Sequence, residues 1–444
     1  FFFAFLFVFP ADVKRAHLLG CLLHRAMEKP VITVDGDAGG GQILRNGFSL
    51  AALAQQPIKV VNIRGARTPP GLRPQHLEGI TMVNRLCGGR LVGAEQGSCE
   101  VAMWPQGFTS GDFKVDTGTA GSCTLLAQIA LPCLLFTSGS TFSGRGGTDV
   151  NWSPPIDEMR LCLMPLLQRF GVQAELTCVK RGFFPRGGGE IKLTVAEGHC
   201  GRPLRPISMT DPGTLSRVYG QAFAAGANEA QQLDHMIEEA RRVLRGRLAP
   251  EIPIDIEKVL ETPDTASGTG TAITLVAATD TGCLFGATQF KDPKQRLSSA
   301  DCGAKAAETL LKEVGGGACV DQFVQDQLLI FMALADGTSE VRVGDLTDHT
   351  KLAIQTAESL LPCKFTLKPE GATTVISCEG VGLTAPGCFS EEAKTRTLAP
   401  PPAVATTSQD DSHLDNGGAP HDPPNAGGKG KGRGKGGGKG KGKG

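Results

Sequence analysis

The chain lacks the residue groupings that mark several common functional classes. It has fourteen cysteines, but no C-x-x-C pair and no cysteine–histidine cluster. That argues against a zinc module and against a secreted disulfide framework. Cys87, Cys123, Cys133, Cys162 and Cys178 sit in apolar surroundings and read as small hydrophobes in a reducing compartment. No G-x-x-x-x-G-K-S/T string occurs, and no G-x-G-x-x-G follows a first strand, so P-loop and Rossmann readings lose support. The phenylalanine-rich start, Phe1 to Pro10, is too short to span a membrane. Net charge is also lacking: 45 basic residues balance 45 acidic ones. Seven of the basic residues fall between Gly427 and Gly444, which leaves the rest of the chain acidic by seven. Nucleic-acid affinity in the folded part therefore has to come from a local patch, not from bulk charge.

What is present suffices for a substantial core: 444 residues, 40% of them hydrophobic. That length fits two or three domains. From Val31 onward, strand-like and helix-like segments alternate. Val31–Asp35, Ile58–Ile63 and Cys99–Trp104 read as strands, and Ile43–Ala54 and Gln75–Cys87 as helices. Ser122–Phe136 is an almost wholly apolar helix and is expected to be buried on all sides. Ile156–Phe170 is a further helix, followed by strands Gln173–Lys180 and Glu190–Val195. The mixture recurs every 90–100 residues or so, which predicts an α/β (α+β) fold of packed repeats. An echo between Gly39-Gly-Gly-Gln-Ile-Leu44 and Gly187-Gly-Gly-Glu-Ile-Lys-Leu193 points the same way. Residues 206–295 differ, with an amphipathic helix at Ala230–Leu244 and two strands after it, and read as a small α/β insert.

The expected organisation is an N-terminal extension over 1–30, a large domain over 31–205 and 296–388, the insert over 206–295, and a tail over 389–444. Residues 1–26, before Met27, read as translated upstream sequence or, second, as a targeting peptide. The tail lacks apolar residues to offset ordering entropy and is expected to be disordered. Its Lys-Gly repeat reads as a nucleic-acid tether, a nuclear address or a solubilising segment.

Four segments could carry chemistry. Arg181-Gly-Phe-Phe-Pro-Arg-Gly-Gly-Gly-Glu190 is either a tight hairpin turn or an anion-binding concavity flanked by two arginines. Arg64-Gly-Ala-Arg-Thr-Pro-Pro-Gly-Leu-Arg-Pro-Gln-His76 puts three arginines on one rigid loop, a pattern suited to phosphate. Ser143-Gly-Arg-Gly-Gly-Thr148 reads as another glycine–arginine turn. His349 falls at a strand-to-helix junction. It is either a plain capping-region histidine or a nucleophile kept neutral by the helix N-terminus.

Taken together, the chain resembles the RNA 3′-terminal phosphate cyclase family. The matching elements are Gly39-Gly-Gly-Gln-Ile-Leu-Arg45, Pro70-Gly-Leu-Arg-Pro-Gln-His-Leu77, Thr119-Ala-Gly-Ser-Cys123, Gly146-Gly-Thr148 with Pro154, the Arg181–Glu190 block, Gln325-Asp-Gln-Leu328 and His349. They occur in family order over residues 31–385. The resemblance implies tandem βαβαββ-type units forming a large domain with a smaller insert. It implies an ATP-dependent reaction that turns an RNA 3′-phosphate into a 2′,3′-cyclic phosphate through a covalent histidine–AMP, with Mg²⁺ or Mn²⁺ assisting. By motif, His349 would be the nucleophile, and Gln128, Pro154, Phe323, Asp326 and Gln327 would line the ATP site. Arg45, Arg64, Arg67 and Gln75 would face phosphate or the RNA end.

Two departures stand out. Phe323 replaces a usual tyrosine. The glutamate that usually precedes the triple glycine, implicated in metal binding, is missing from a shortened loop, where Asp37 is the available substitute. The competing readings are the catalytically inactive cyclase-like branch, which acts in ribosome assembly, and the architecturally related enolpyruvate transferases. The implied partner is RNA with a 3′-phosphate end, with no membrane. The implied location is the nucleus (nucleoplasm or nucleolus) or the cytoplasm. Oligomeric state is left open.

Overall fold

Three successive sheets repeat one strand order. The computed structural model describes residues 29–37, 39–226, 230–291 and 296–401. Most of the expected N-terminal extension and Lys/Gly tail lie outside these residues. In the first unit, β1 (Ile32–Asp35), α1 (Gly41–Ala54), β2 (Ile58–Val61), α2 (Pro74–Leu86), β3 (Arg90–Val92) and β4 (Val101–Trp104) follow in turn. β1 and β2 are parallel, and β4 lies antiparallel between β2 and β3, giving the order β1-β2-β4-β3. The second unit repeats the pattern with β5 (Gly111–Asp116), α3 (Cys123–Leu134), β6 (Ser140–Gly146), a helical segment α4 over 156–168, β7 (Ala174–Gly182) and β8 (Gly189–Val195). Its order, β5-β6-β8-β7, is the same. In each unit the parallel pair requires a helical crossover, and the antiparallel pair follows as a hairpin.

The third unit is interrupted. Its first strand is the two-residue β9 (Ser208–Met209), which pairs in parallel with β15 (Thr338–Val343). Between them lies the insert: β10 (Leu215–Ala225), α5 (Ala230–Arg245), β11 (Ile254–Glu261), β12 (Ala266–Ser267), β13 (Gly270–Thr279), β14 (Leu284–Phe290) and α6 (Ser299–Gly315). The unit then resumes with α7 (Gln325–Leu334), β15, α8 (Asp348–Leu360), β16 (Lys364–Glu370) and β17 (Thr373–Glu379), in the order β9-β15-β17-β16. The fold is thus a triplicated βαβαββ α/β protein with a smaller α/β insert.

Four sequence expectations need correction. Ser143–Thr148 is not a turn: Ser140–Gly146 is a strand bonded on both sides. Its glycines permit close backbone approach, since a Cβ on Gly146 would lie 2.3 Å from the Gly121 carbonyl oxygen. The echo between the two triple glycines is not a structural repeat. The first precedes α1, whereas the second forms the β7–β8 turn of a different unit. The tail does not start at 389, because residues 389–401 are part of the folded body. There α9 (Glu391–Lys394) is capped by Ser390, and Arg396 donates to the carbonyls of Pro362, Glu379 and Gly380. The insert also runs past its expected end at 295: α6 covers β13 and β14 and packs on α5, so it belongs to the insert sheet.

One continuous apolar core runs beneath the sheets, and α3 is buried nearly all round, as its composition predicts. α1 contributes Ile43, Leu44, Phe48, Leu50 and Leu53, each under 2% exposed, which is about 2 kcal/mol of transfer energy apiece. Gly39 brings two units together. Its φ is +133°, and a Cβ there would lie 1.9 Å from Leu352 Cδ2 on α8. Only glycine lets the start of α1 sit this close to the helix that carries His349.

Candidate active site

The starts of four helices, together with the middle of α3, gather around Gln42 and Arg45. Gln42 and Arg45 come from α1, His76 from α2, Asp326 and Gln327 from α7, and His349 from α8. Each position follows from local sequence. Thr347 caps α8 by accepting the Thr350 N–H at 3.1 Å, which places His349 in the first turn. Pro74 opens α2 with a φ already suited to a helix.

Gln42 holds the centre. Its amide nitrogen donates to Asp326 Oδ2 at 2.8 Å and to the His349 carbonyl at 3.1 Å. Those two bonds fix which end of the amide is which. Gln42 Oε1 therefore faces His349 Nδ1 at 2.6 Å and must accept its proton. The imidazole is left with its lone pair on Nε2. Burial, and then the Arg45 guanidinium, push the His349 pKa below its usual value, against a small opposing pull from Asp348. The ring is neutral at pH 7, as a nucleophile requires.

The other titratable groups have been shifted as well. Burial raises the Asp326 carboxyl to about 7, against the attraction of Arg45. Burial lowers Arg45 to about 10, with Asp326 opposing. Burial, then Arg45, Arg64 and Arg73, drive His76 down to about 3. His76 is accordingly neutral, and its Nδ1 accepts the Arg73 backbone N–H at 3.2 Å. Arg64 is lowered by burial and then by its neighbours Arg73 and Arg67. Its Nε is buried and makes no hydrogen bond to the protein. Crowded guanidiniums of this kind are the usual host of an anion.

The cleft has an empty volume of about 480 Å³, including the solvent above it, and is walled by Gln128, Pro132, Met159, Leu163, Ile330 and Phe331. Met159–Leu163 is a π-helical turn within α4, a distortion frequent at functional sites. Gln128 donates to Gln327 Oε1 at 2.7 Å, and Gln327 in turn donates to the Phe323 carbonyl at 2.7 Å. The Phe323 side chain is 59% exposed at the rim.

The predicted residues separate into groups. Arg45, Asp326, Gln327 and Gln128 line the cleft together with Gln42; His349 is joined to it through its bonds with Gln42, and Phe323 through its carbonyl, which accepts from Gln327. Pro154 lies one residue before Pro155, the N-cap of α4, whose π turn forms a wall, but is not itself among the cleft-lining residues. Arg64 and Arg67 lie on the loop before α2, and Asp37 holds that loop by accepting the Ala66 N–H at 2.9 Å. Gln75 turns its carbonyl oxygen to the Ser122 N–H, at 3.0 Å. Among the described residues no three His, Cys, Asp or Glu side chains cluster as metal ligands.

Arg181 differs from the anion-site reading. It is 3% exposed and ion-paired with Asp149 at 3.1 Å, Asp157 at 2.7 Å and Glu261 at 2.6 Å. Its guanidinium also lies 3.7 Å from the Phe223 ring centroid. Burial alone would lower its pKa, but the adjacent Asp149 and Asp157 more than offset this and raise it. With three carboxylates around it, Arg181 is structural and fastens the second unit to the insert. Two residues escaped the sequence reading as members of the site: Gln42, and His76 as a neutral group beneath the arginines. The one sequence trace of the first is a glutamine directly after a triple glycine, and its role shows only in its contacts with Asp326 and His349.

Fold and site together define a class: a triplicated α/β protein with a neutral imidazole, a shifted carboxyl and clustered arginines around helix N-termini. This is equipment for phosphate chemistry. The sequence profile described as RNA 3′-terminal phosphate cyclase matches residues 37–367. The chain is 34% identical to a probable RNA 3′-terminal phosphate cyclase of Dictyostelium discoideum, over 80% of this chain and 84% of that one. It is 36% identical to an RNA 3′-terminal phosphate cyclase of Pyrobaculum neutrophilum (79% and 99%) and 34% identical to one of Drosophila melanogaster (79% and 97%). The chain belongs to the RNA 3′-terminal phosphate cyclase family.

Proposed function

We propose that this protein uses ATP to convert an RNA 3′-terminal phosphate into a 2′,3′-cyclic phosphate, with His349 as the nucleophile that carries AMP. One observation carries the reading: Gln42 Oε1 accepts a hydrogen bond from the Nδ1–H of His349, which leaves the free lone pair on Nε2. In the first step Nε2 forms a bond to the α-phosphorus of ATP while the bond to the leaving pyrophosphate breaks. In the second, an oxygen of the RNA 3′-phosphate takes AMP from Nε2, which regains its lone pair. In the third, the 2′-hydroxyl attacks the activated phosphorus, loses its proton and expels AMP. A phosphate dianion has no good leaving group; adenylylation supplies one, and the adjacent hydroxyl supplies proximity.

Each neighbour then has a task. Gln128, Gln327 and Phe323 receive the adenosine. Arg45, between His349 and Asp326, offsets charge building on the α-phosphate. The arginines of the loop before α2 receive the RNA 3′-phosphate. A divalent ion, Mg²⁺ or Mn²⁺, would arrive with the ATP, and Asp37 is the carboxylate nearest in sequence to the Gly39 turn.

The test is incubation of the full chain with α-labelled ATP and a divalent metal. The wild type should acquire label, and His349→Ala should not. A wild type that never labels, or an alanine variant that does, overturns the mechanism. An unlabelled wild type that travels with pre-ribosomal particles establishes the inactive scaffold reading instead.

A further inference from the structure

We propose that Trp152 is a stacking platform for a base of the RNA strand just upstream of its 3′-terminal nucleotide. The proposal rests on the cyclase reading above. Trp152 lies in the loop joining β6 to α4. It is 61% exposed and has a φ of +66°. Either feature is unusual for tryptophan, and the left-handed backbone is strained for so bulky a residue. A surface position under no functional demand would relieve that strain with glycine or asparagine.

The loop is also braced at its base. Thr148 N–H donates to the Gly182 carbonyl at 2.9 Å, and the Thr148 hydroxyl donates to Asp149 at 2.6 Å. Asp149 is in turn paired with Arg181. Ser153 closes the tip by donating to the Val150 carbonyl at 2.8 Å. A rigid support that holds a large exposed ring suits stacking, because little entropy remains to be lost on binding.

Continuity with the site names the occupant. Gly147 exchanges backbone hydrogen bonds with Gly121 and Cys123, both at 2.8 Å, which stitches the loop to the N-terminus of α3. Ser122, between those two residues, donates to Gln75, the residue preceding His76 on α2 beside the arginine loop. The base of the Trp152 loop is therefore tied through one helix N-terminus to the helix that follows the arginine loop. The exposed Arg186 lies on the β7–β8 turn, which leaves the same Gly182 junction. Base–aromatic stacking is indifferent to sequence, as an end-processing enzyme needs.

The chain has only two tryptophans, which makes the test direct. In the full-length Trp104→Phe variant, Trp152 is the sole reporter. A 3′-phosphorylated single-stranded RNA decamer should quench its fluorescence saturably, with the same Kd that anisotropy gives. Trp152→Ala should weaken binding of that RNA about 10-fold, and Trp152→Phe should restore it to within about twofold. An RNA with abasic sites next to its terminal nucleotide should bind wild type and Trp152→Ala alike. Unchanged affinity in Trp152→Ala, or quenching produced fully by ATP without RNA, overturns the proposal while leaving the cyclase reading intact. Failure of the wild type to bind RNA at all removes both.

Discussion

Gln42 Oε1 and His349 Nδ1 are 2.6 Å apart although the residues are separated by 307 positions in the chain. The first unit of the repeat thus sets the tautomer of a histidine in the third. Gln42→Leu removes the acceptor, leaves Asp326 without its donor and frees the imidazole to place its proton on Nε2. The rate of labelling from α-labelled ATP should fall about 100-fold, with a much smaller change in Kd for ATP. Labelling at the wild-type rate would show that Gln42 does not position the nucleophile.

Asp326 gives the protein a pH-dependent stability with an unusual sign. Its carboxyl is raised from 3.8 to about 7, mainly by burial. The folded state therefore holds a proton that the unfolded state releases between those values. Its penalty is absent below about pH 4, grows as pH rises, and is complete above about 7. Asp326→Asn keeps an oxygen for Gln42 and removes the ionisation. In urea titrations it should match wild type at pH 4 and exceed it by about 1–3 kcal/mol at pH 8. Equal stability at both pH values would show that the carboxyl is not buried as described.

Much of this architecture is legible in the sequence, and the failures have physical causes. Periodicity suffices for α1, α3 and α8 because each has a clear apolar face or none that is polar. The third repeat is hidden because its first strand is only Ser208–Met209 and the insert separates it from its partner β15. Motif order singles out His349, Asp326 and Gln128 as candidates, whereas Gln42 needs the long-range contact to declare its place beside them. Arg181 misleads for the same reason: Glu261, which ends β11, lies 80 positions away. Sequence shows an arginine beside glycines but not the carboxylates already around it.

Arg181 consequently makes a sharp prediction about stability. Arg181→Met leaves Asp149, Asp157 and Glu261 facing one another without their shared cation. Breaking a buried pair from one side costs about 3–5 kcal/mol, and three carboxylates put this case at the upper end. The urea midpoint should drop accordingly, and Arg181→Lys should recover little, since one ammonium cannot serve three directions. At temperatures where the variant remains folded, its Kd for ATP should equal that of the wild type. A stable Arg181→Met variant with weakened binding of 3′-phosphorylated RNA would restore the anion-site reading.

The pH profile of self-labelling tests the electrostatics around His349 directly. Burial and the Arg45 guanidinium hold this imidazole below the ordinary 6.5, so protonation should not remove the nucleophile until pH falls past that value. The labelling rate should then decline on an acid limb centred below 6.5. Asp348 is the one neighbour that pulls the pKa up, and its side chain is 86% exposed. Asp348→Asn should move the limb to still lower pH by a small amount and leave the plateau rate nearly unchanged. Gln42→Glu should do the reverse, because a carboxylate facing Nδ1 stabilises the imidazolium and carries the limb upward. Opposite displacements from two single substitutions are hard to produce by general destabilisation. A limb centred at or above 6.5 in the wild type would show that His349 titrates as an ordinary exposed histidine and is not the preset nucleophile.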